Sequence, residues 1–377
     1  MSKQNQIAIA NISQNSAIQY WIGFTKIPSI GPIRFEKIQK HFPSLEQAWN
    51  APAAEFKRIG FSDIVVADIE KIRNTINLSQ ELEKIQQAGA SVVTIEDKAY
   101  PHLLKETYAP PPLLYYRGAL PSKDPFLIAV VGSRKFSQYG AQVTNTLVHD
   151  LAHSGITIVS GLALGIDALA HHAALEAGGV TIAVLGGGTD DKSVYPRANQ
   201  GLAEKIIEHN GCILSEHGPG TVALNHHFPR RNRIISGMSL GTIIVEAAQK
   251  SGALITAQYA LEQNREIFAV PGNITSPNSS GANNLLKMGA RVVTDASDVL
   301  QLLNLEQAET YQAVQTIVPD SKEEALLLEH LGHEPIHIDR LARLTKLSIQ
   351  AINATLTLME MKGIVRHLGS MNYIRAR

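Results

Sequence analysis

The sequence lacks several features that would place it in a specialised class. Its 377 residues include one cysteine, Cys212, which excludes an internal disulfide and a structural zinc site. No apolar run approaches the ~20 residues that span a bilayer. Residues 1–6 lack a basic stretch followed by an apolar run, so no targeting segment is expected there. These absences predict a soluble, cytoplasmic protein without a membrane partner.

Net charge and aromatic residues are also scarce. The chain carries 34 Lys and Arg against 34 Asp and Glu, so no whole-molecule attraction to nucleic acid is expected. Any nucleic-acid function then depends on a local basic patch. Aromatic residues make up 6% of the chain, whereas glycine occurs 28 times. This balance is typical of α/β proteins whose cores are built from Ala, Val, Ile and Leu.

Signatures of common cofactors and catalytic centres are missing as well. Neither the three-glycine dinucleotide fingerprint nor a phosphate-binding loop with Gly-Lys-Ser/Thr occurs, so NAD and ATP lack their usual motifs. The spacing of the residues indicates no nucleophile elbow, no paired carboxylates on one short element and no Cys/His arrangement. The pairs His171-His172 and His226-His227 are sequence neighbours, which rarely share one ion. We therefore predict no cofactor, no metal and no catalytic residue.

Three stretches with different patterns follow one another along the chain. Residues 1–85 show helical spacing of apolar residues and predict a small all-helical domain. Residues 86–304 alternate β-branched runs with helical patterns, which predicts a Rossmann-like, doubly wound and mostly parallel sheet. A polar linker at 305–320 precedes residues 321–377, where two helical patterns and a final pair of strands follow the order of a winged helix.

Seven strands are predicted in the central region, and several are almost entirely apolar, as strands covered on both faces should be. They lie at 127–131, 156–159, 181–185, 212–215, 242–245, 266–270 and 291–293. Ligands of open α/β sheets bind at the carboxyl ends of the strands. The residues that follow each strand are therefore the first place to look for a site.

Small and polar residues follow the first three of these strands. Residues 132–134, Gly-Ser-Arg, precede a helix predicted at 138–153. A glycine that admits a close approach, helix-start amides, a hydroxyl and an arginine together suit an anion such as phosphate. A plain turn with a solvated arginine is the competing interpretation. Residues 160–167 and the glycines at 186–188 repeat the pattern, and three such turns along one edge favour a groove.

The most charged segment, residues 226–237, has three arginines within four residues beside Phe228. Charge suits a phosphate backbone and an aromatic face suits a base, so single-stranded nucleic acid fits this segment best. The arginines could equally pair with carboxylates of their own domain, and the phenylalanine could be ordinary core. Asp167 and Glu246 are the best acid candidates, although a helix cap and a structural ion pair explain them more simply.

Seven ordered motifs resemble those of the DNA-processing protein A family, also called DprA or Smf. They are Val130-Val-Gly-Ser-Arg134, Ser160-Gly-Leu-Ala-Leu-Gly-Ile-Asp167, Ala183-Val-Leu-Gly186 with Tyr195-Pro196, Phe228-Pro-Arg-Arg-Asn-Arg-Ile-Ile-Ser-Gly237, Ser251-Gly-Ala-Leu-Ile-Thr-Ala257, Val270-Pro-Gly272 and Gly281-Ala-Asn283. The resemblance implies an N-terminal helical domain of sterile-alpha-motif type and a C-terminal winged helix around the central domain. The turn at 27–32 is similar to a helix-hairpin-helix loop.

The resemblance also implies a function. Members are homodimers that bind single-stranded DNA, protect it from nucleases and load the RecA recombinase onto it during natural transformation, without turnover. Together with the strand-end pattern, it assigns DNA binding to Gly132, Ser133, Arg134, Ser160, Gly161, Asn225, Phe228, Arg230, Arg231, Asn232, Arg233, Lys250, Ser251 and Thr256. For the dimer contact it points to Leu285, Leu286 and Val292, for which ordinary core is the competing interpretation.

Two departures from the family pattern affect these expectations. Asn225 stands where members often have a basic residue, so we expect one phosphate contact fewer. The predicted recognition helix at 348–361 contains no Lys or Arg, so the winged helix is expected to contact protein, or DNA only weakly.

Two other functions compete with this one. The first is a nucleotide-binding or nucleotide-cleaving enzyme of the related phosphoribohydrolase-like group. Its continuous Pro-Gly-Gly-x-Gly-Thr-x-x-Glu loop is split here between residues 241–246 and 271–273. The second is a transcription regulator, which rests on the winged helix alone.

Overall fold

The computed structural model describes residues 17–121, 126–303, 321–331, 336–361, 365–369 and 371–375. The chain divides into two units, Met1–Glu306 and Gln307–Arg377. No helix in the described ranges is both long enough and apolar enough to cross a membrane. Residues 1–6 and the predicted linker at 305–320 lie outside the described residues. The predicted domain boundary near residue 85 stays a prediction.

Short helices make up the described chain as far as residue 87, as the apolar spacing predicts. They are α1 (Ile18–Thr25), α2 (Pro32–His41), α3 (Leu45–Asn50), α4 (Ala53–Arg58), α5 (Asp63–Thr75) and α6 (Leu78–Gln87). Pro32 occupies the first turn of α2, where its missing N–H costs nothing, and Ser44 caps α3. Phe24, Phe35 and Phe56 are fully buried where the helices meet.

The central region alternates strands with helices. Its elements are β1 (Ser91–Thr94), α7 (His102–Lys105), β2 (Leu113–Gly118), β3 (Leu127–Val131), α8 (Gln138–His153), β4 (Thr157–Ser160), α9 (Ile166–Glu176), β5 (Thr181–Leu185), α10 (Gln200–Glu208), β6 (Cys212–Ser215), α11 (His227–Gly237), β7 (Gly241–Ile244), α12 (Gly252–Glu262), β8 (Glu266–Ala269), α13 (Ser280–Lys287), β9 (Arg291–Val292) and α14 (Ala296–Leu302). All the predicted strands are present within one residue of their predicted bounds. The fold class is therefore confirmed.

The strands form one sheet in the order β1-β2-β6-β5-β4-β3-β7-β8-β9. The fully buried strand β3 pairs in parallel with β4 on one side and with β7 on the other, so that Ala129 lies opposite both Val159 and Thr242. The chain moves outward from β3 to β6 and then returns to β7, so the winding reverses between β3 and β7. In a doubly wound sheet a ligand crevice opens at this switch point, at the carboxyl ends of the strands.

Two strands at one edge of the sheet were not predicted. β1 and β2 extend the sheet beyond β6 with antiparallel pairing, and Tyr115 of β2 lies opposite Ser215 of β6. The prolines at 110–112 immediately before β2 indicate a connection rather than a strand. Tyr115 is fully buried and also belongs to the core formed by the N-terminal helices. This edge therefore carries the helical region.

The second unit forms a winged helix, as predicted. Its described elements are α15 (Lys322–His330), β10 (Ile336–His337), α16 (Ile338–Thr345), α17 (Ile349–Met361), β11 (Val365–Gly369) and β12 (Asn372–Arg375). The three strands pair antiparallel in the order β10-β12-β11. Leu341, Ile352 and Leu356 are buried between the helices. The hydroxyl of Ser348 accepts a hydrogen bond from the Ala351 amide, which is the predicted cap.

Candidate nucleic-acid interface

A cavity of about 660 Å³ opens at the switch point, beside the carboxyl ends of β3 and β7. Its walls come from the β3–α8 loop, the β4–α9 connection, helix α11 and the start of α12. Most of the residues predicted to bind DNA line it, namely Gly132, Ser133, Arg134, Asn225, Phe228, Arg231, Asn232, Lys250, Ser251 and Thr256. The fold thus gathers motifs that are widely separated in the sequence into one wall. We call this space the switch-point cavity.

Two glycines allow the β3–α8 loop to lie directly against the start of α9. A side chain at Gly132 would meet the Ile166 side chain at 2.7 Å. Gly165 has a φ of +92° and lies against the carbonyl of Ser133, with no room for a Cβ atom. The Ser133 hydroxyl is engaged within its own turn, since it donates to the Lys135 carbonyl at 2.9 Å. These contacts fix the backbone of the loop, and so they also fix the backbone position of Arg134.

Three exposed cations lie at the switch-point cavity. Arg134, Lys135 and Lys250 line it, and none of the ion pairs in the described ranges involves them. One carboxylate lines the cavity as well, but Asp167 is buried and accepts hydrogen bonds from the amides of Gly161 and Ala163. Burial raises the pKa of Asp167. The accessible part of this wall is consequently positive.

Arg231 lies on the protein side of the switch-point cavity, where it contacts the ends of two strands. Its side chain is almost completely buried and donates to the carbonyl of Gly161 at 2.5 Å and to the carbonyl of Val184. The guanidinium fills the space that a side chain at Gly161 would occupy, because the nearest nitrogen lies 2.5 Å from that Cβ position. Burial lowers the pKa of Arg231 to about 10, which still leaves it charged at neutral pH. Its donors bind the ends of β4 and β5.

Helix α12 begins at the opposite wall. The Ser251 hydroxyl accepts a hydrogen bond from the Ala253 amide and caps the helix. Asn232 of α11 donates to the carbonyl of Gly252 at 3.4 Å and accepts from Arg231 at 3.1 Å. The positive end of the α12 dipole therefore faces the cavity beside Lys250.

The structure places four of the predicted residues outside the cavity wall. Arg233 donates to Glu216 and to the carbonyl of Ala109, so it pairs with a carboxylate of its own domain, which was the competing interpretation. Ser160 is fully buried and donates to a backbone carbonyl of β3. Gly161 makes room for the guanidinium described above, and Arg230 is exposed outside the cavity.

Phe228 borders the switch-point cavity and has contacts on several sides. Its ring lies against Gly186, where an added Cβ would stand 3.0 Å from Cδ1. The guanidinium carbon of Arg134 lies 5.8 Å from the ring centroid, within cation–π range. The ring of Tyr195 lies 5.6 Å away between centroids. Tyr195 belongs to a motif to which no binding role was assigned from the sequence, although its position after β5 places it at the expected edge of the sheet.

Glu246 lines a second cavity of about 540 Å³ together with Tyr139 and Gly272. Its carboxylate is buried and accepts hydrogen bonds from the Ser137 amide at 2.9 Å and from the Ser137 hydroxyl at 2.5 Å. These contacts join β7 to the start of α8. Glu246 therefore has a structural explanation, although it is a helix-terminus contact rather than the ion pair that we expected.

In each of the two histidine pairs, one side chain is buried and its neighbour is exposed. His171 is fully buried, with Nδ1 2.7 Å from the Thr181 hydroxyl, whereas His172 is exposed. His227 approaches the Gly186 carbonyl, and its neighbour His226 is exposed. Within the described ranges, no three His, Cys, Asp or Glu side chains are grouped in a way that could hold a metal ion.

The residues suggested for a dimer contact differ in exposure. Leu285 and Leu286 on α13 are half-buried and pack against the central core. Val292 is 52% exposed on β9, the last strand of the sheet. The dimer contact stays a prediction.

The fold and the cavity define a Rossmann-like protein with a basic, aromatic-bordered site at the switch point, on a chain that also carries a winged helix. The profile of the family described as DNA recombination-mediator protein A matches residues 91–304, and that of the DprA winged helix domain matches residues 312–370. The chain belongs to the DNA recombination-mediator protein A family.

Individual relatives agree with this assignment. Protein Smf of Synechocystis is 35% identical over 398 aligned residues, which cover 96% of this chain and 99% of the relative. The crystal structure of DNA processing protein A from Streptococcus pneumoniae is similar with a TM-score of 0.61 at 37% identity, over 72% of this chain and 98% of that one. DNA processing protein A from Helicobacter pylori, whose structure is described in terms of its single-stranded DNA binding mode, gives 0.50 at 31% identity, over 57% and 96%.

Proposed function

We propose that this protein binds single-stranded DNA at the switch-point cavity and acts as a recombination mediator rather than as an enzyme. The observation that carries the proposal is the convergence of Arg134, Lys135 and Lys250, exposed and without carboxylate partners in the described ranges, beside the ring of Phe228. Cations hold phosphates, and an aromatic ring stacks on a base. The α12 start adds amides that suit the same phosphates.

The cellular role is carried over from the family. The Helicobacter pylori relative is described as binding single-stranded DNA, and the family is described as a recombination mediator. We infer that this chain takes part in natural transformation in the cytoplasm, where it protects incoming single strands and loads RecA. We further infer that it works as a homodimer through Leu285, Leu286 and Val292.

The chemistry of the cavity favours a single strand over a duplex. In a duplex the bases are stacked on one another, so the ring of Phe228 has no free base to contact. In a single strand the bases turn outward, and every base has a face that can stack. Because the cations bind phosphates, the preference for sequence should be weak and the dependence on salt steep.

The first test is the affinity for a labelled oligo-dT of a few tens of nucleotides, measured by fluorescence anisotropy against a duplex of equal length at two salt concentrations. We expect preference for the single strand. Arg134→Ala should weaken binding about tenfold for all sequences. It should also reduce the slope of log affinity against log salt concentration by about one, which corresponds to one phosphate contact. Arg58→Ala is the matched control, because Arg58 is an exposed arginine of α4, paired with Glu55 and outside the cavity.

Equal binding to the duplex, or an unchanged affinity in Arg134→Ala, would contradict the proposal. The competing enzyme predicts a different result. Release of free base from a nucleoside monophosphate, lost in Glu246→Ala, would establish turnover. The contacts of Glu246 with Ser137 and its absence from the wall of the switch-point cavity argue for a structural role.

A further inference from the structure

The aromatic surface at the switch-point cavity continues beyond Phe228. The rings of Phe228 and Tyr195 lie 5.6 Å apart between centroids, with their planes inclined by 40°. The guanidinium carbon of Arg134 also lies over the Phe228 ring, 5.8 Å from its centroid. We call these three connected side chains the aromatic patch. Tyr195 is the more exposed of its two rings, since 54% of its surface is exposed whereas Phe228 is half-buried.

The loop that carries Tyr195 is fixed on both sides of the exposed ring. Val194 is buried in the core beside β5 and β6, and its amide donates to the carbonyl of Asp190 at 3.2 Å. After the ring, the side chain of Asn199 is buried and donates to the carbonyl of Leu162 at 2.9 Å. The loop therefore holds Tyr195 in place before any partner arrives. A ring that is already ordered loses little further freedom when a partner binds.

Support for Phe228 does not by itself explain this exposed ring. Gly186 already contacts Phe228 from the protein side, as the short distance to its added Cβ shows. A tyrosine that served only to cover Phe228 would gain by burying most of its own surface. Instead, more than half of Tyr195 faces solvent on a loop at the carboxyl edge of the sheet. An ordered aromatic ring that remains exposed is well suited to contact a partner.

We propose that Tyr195 is a second base-stacking platform, which takes the base next to the one held at Phe228. This proposal rests on the proposed function and deepens it. It states that the bound strand leaves the switch-point cavity over the β5–α10 loop. Neighbouring rings match consecutive bases of one strand, and stacking works for any base. Arg197, two residues beyond Tyr195, is exposed and belongs to none of the ion pairs in the described chain, so it can meet the adjoining phosphate.

The test compares the affinities of four proteins for oligo-dT at fixed salt: the wild type, Tyr195→Ala, Tyr195→Phe and the control Tyr108→Ala. We expect Tyr195→Ala to lose about tenfold, as for one base-stacking contact. Tyr195→Phe keeps the ring and should stay within about twofold of the wild type. Tyr108 is 86% exposed and lies outside the cavity wall, so its removal should change nothing. Urea unfolding checks that every variant is folded.

A second measurement locates the base. Oligonucleotides of the shortest length that gives full affinity are made with one base removed at each position in turn. The wild type should lose affinity at two neighbouring positions, and Tyr195→Ala should remain sensitive at one of them. If Tyr195→Ala is no longer sensitive to base removal at one of the two positions, the platform is supported. If the variant shows the same two sensitive positions as the wild type, the platform is overturned.

The outcomes also separate this inference from the proposed function. If the wild type shows no preference for single strands, the proposed function fails. If the wild type binds and Arg134→Ala weakens binding while Tyr195→Ala does not, only the platform fails. A loss in Tyr195→Phe as large as in Tyr195→Ala would assign the effect to the hydroxyl and would also overturn stacking.

Discussion

At the scale of single residues, the arginines of α11 have different roles although they are neighbours in sequence. Arg230 is exposed, Arg231 is buried beneath the switch-point cavity, and Arg233 pairs with Glu216. A helix turns by about a hundred degrees per residue, so adjacent side chains face different surroundings. The basic character of the segment therefore comes partly from groups that stabilise the fold. The accessible charge at the cavity comes from Arg134, Lys135 and Lys250, which belong to other elements.

Arg231 and Arg230 form a matched pair for testing this division. Arg231→Ala leaves the buried carbonyls of Gly161 and Val184 without their donor, so we expect the free energy of unfolding to fall by about 2–5 kcal/mol. Arg230→Ala removes an exposed side chain and should change it by less than about 0.5 kcal/mol. Urea unfolding measures both. Equal stability of the two variants would contradict the structural role of Arg231.

The inward position of Arg231 could not be predicted from the sequence. It depends on the space left by Gly161, at the end of a strand far away in the chain, and on a carbonyl at the end of β5. Charge pattern and helical spacing carry no information about either. By contrast, the Gly-Ser-Arg turn at 132–134 could be predicted, because the strand, the turn and the following helix are all local.

At the scale of elements, the same distinction holds. Strands such as β3 and β5 are continuous apolar runs, and their bounds follow directly from composition. β2 could not be predicted in the same way, because the prolines at 110–112 before it indicate a connection and its antiparallel pairing with β6 lies outside the alternation of strands and helices. The carboxyl edge of the sheet was predictable, since the winding of alternating strands and helices places it. The contact of the Tyr195 ring with Phe228 could not be predicted, because it depends on how the β5–α10 loop packs against helix α11.

The contact of α9 with β5 gives an expected dependence of stability on pH. The Thr181 hydroxyl donates to the carbonyl of Ile158, so it accepts from Nδ1–H of His171. Burial lowers the pKa of His171 to about 3. Between pH 6.5 and pH 3 the unfolded chain takes up a proton that the folded protein does not, so this histidine lowers stability as the pH falls, by up to ~1.4 kcal/mol per pH unit.

His171→Asn retains a donor toward Thr181 and cannot titrate. We expect it to flatten the fall in the free energy of unfolding between pH 7 and pH 5, measured with urea, even if the smaller side chain lowers stability at every pH. His172→Asn is the matched control, because His172 is exposed in the next position and should leave the slope unchanged. An equally steep slope in His171→Asn would show that His171 is not the group responsible.

At the scale of the whole molecule, the formal net charge of zero concentrates any attraction for DNA at local sites. The cations of the switch-point cavity belong to the first unit of the chain, and the winged helix belongs to the second. Helix α17 has no Lys or Arg along its length, whereas recognition helices that grip DNA need basic residues. We therefore expect the winged helix to contact protein, or DNA only weakly.

Deletion of residues 321–377 tests this division of roles. The truncated chain retains the whole wall of the switch-point cavity, so we expect its affinity for oligo-dT to stay within about threefold of the full chain. The margin allows for weak contacts from Arg340 and Arg343, which are exposed on α16. Arg134→Ala in the truncated chain is the internal control and should still cost about tenfold, because the cation acts at the cavity itself. A collapse of affinity in a truncated chain that still unfolds cooperatively would instead place the main DNA contact on the winged helix.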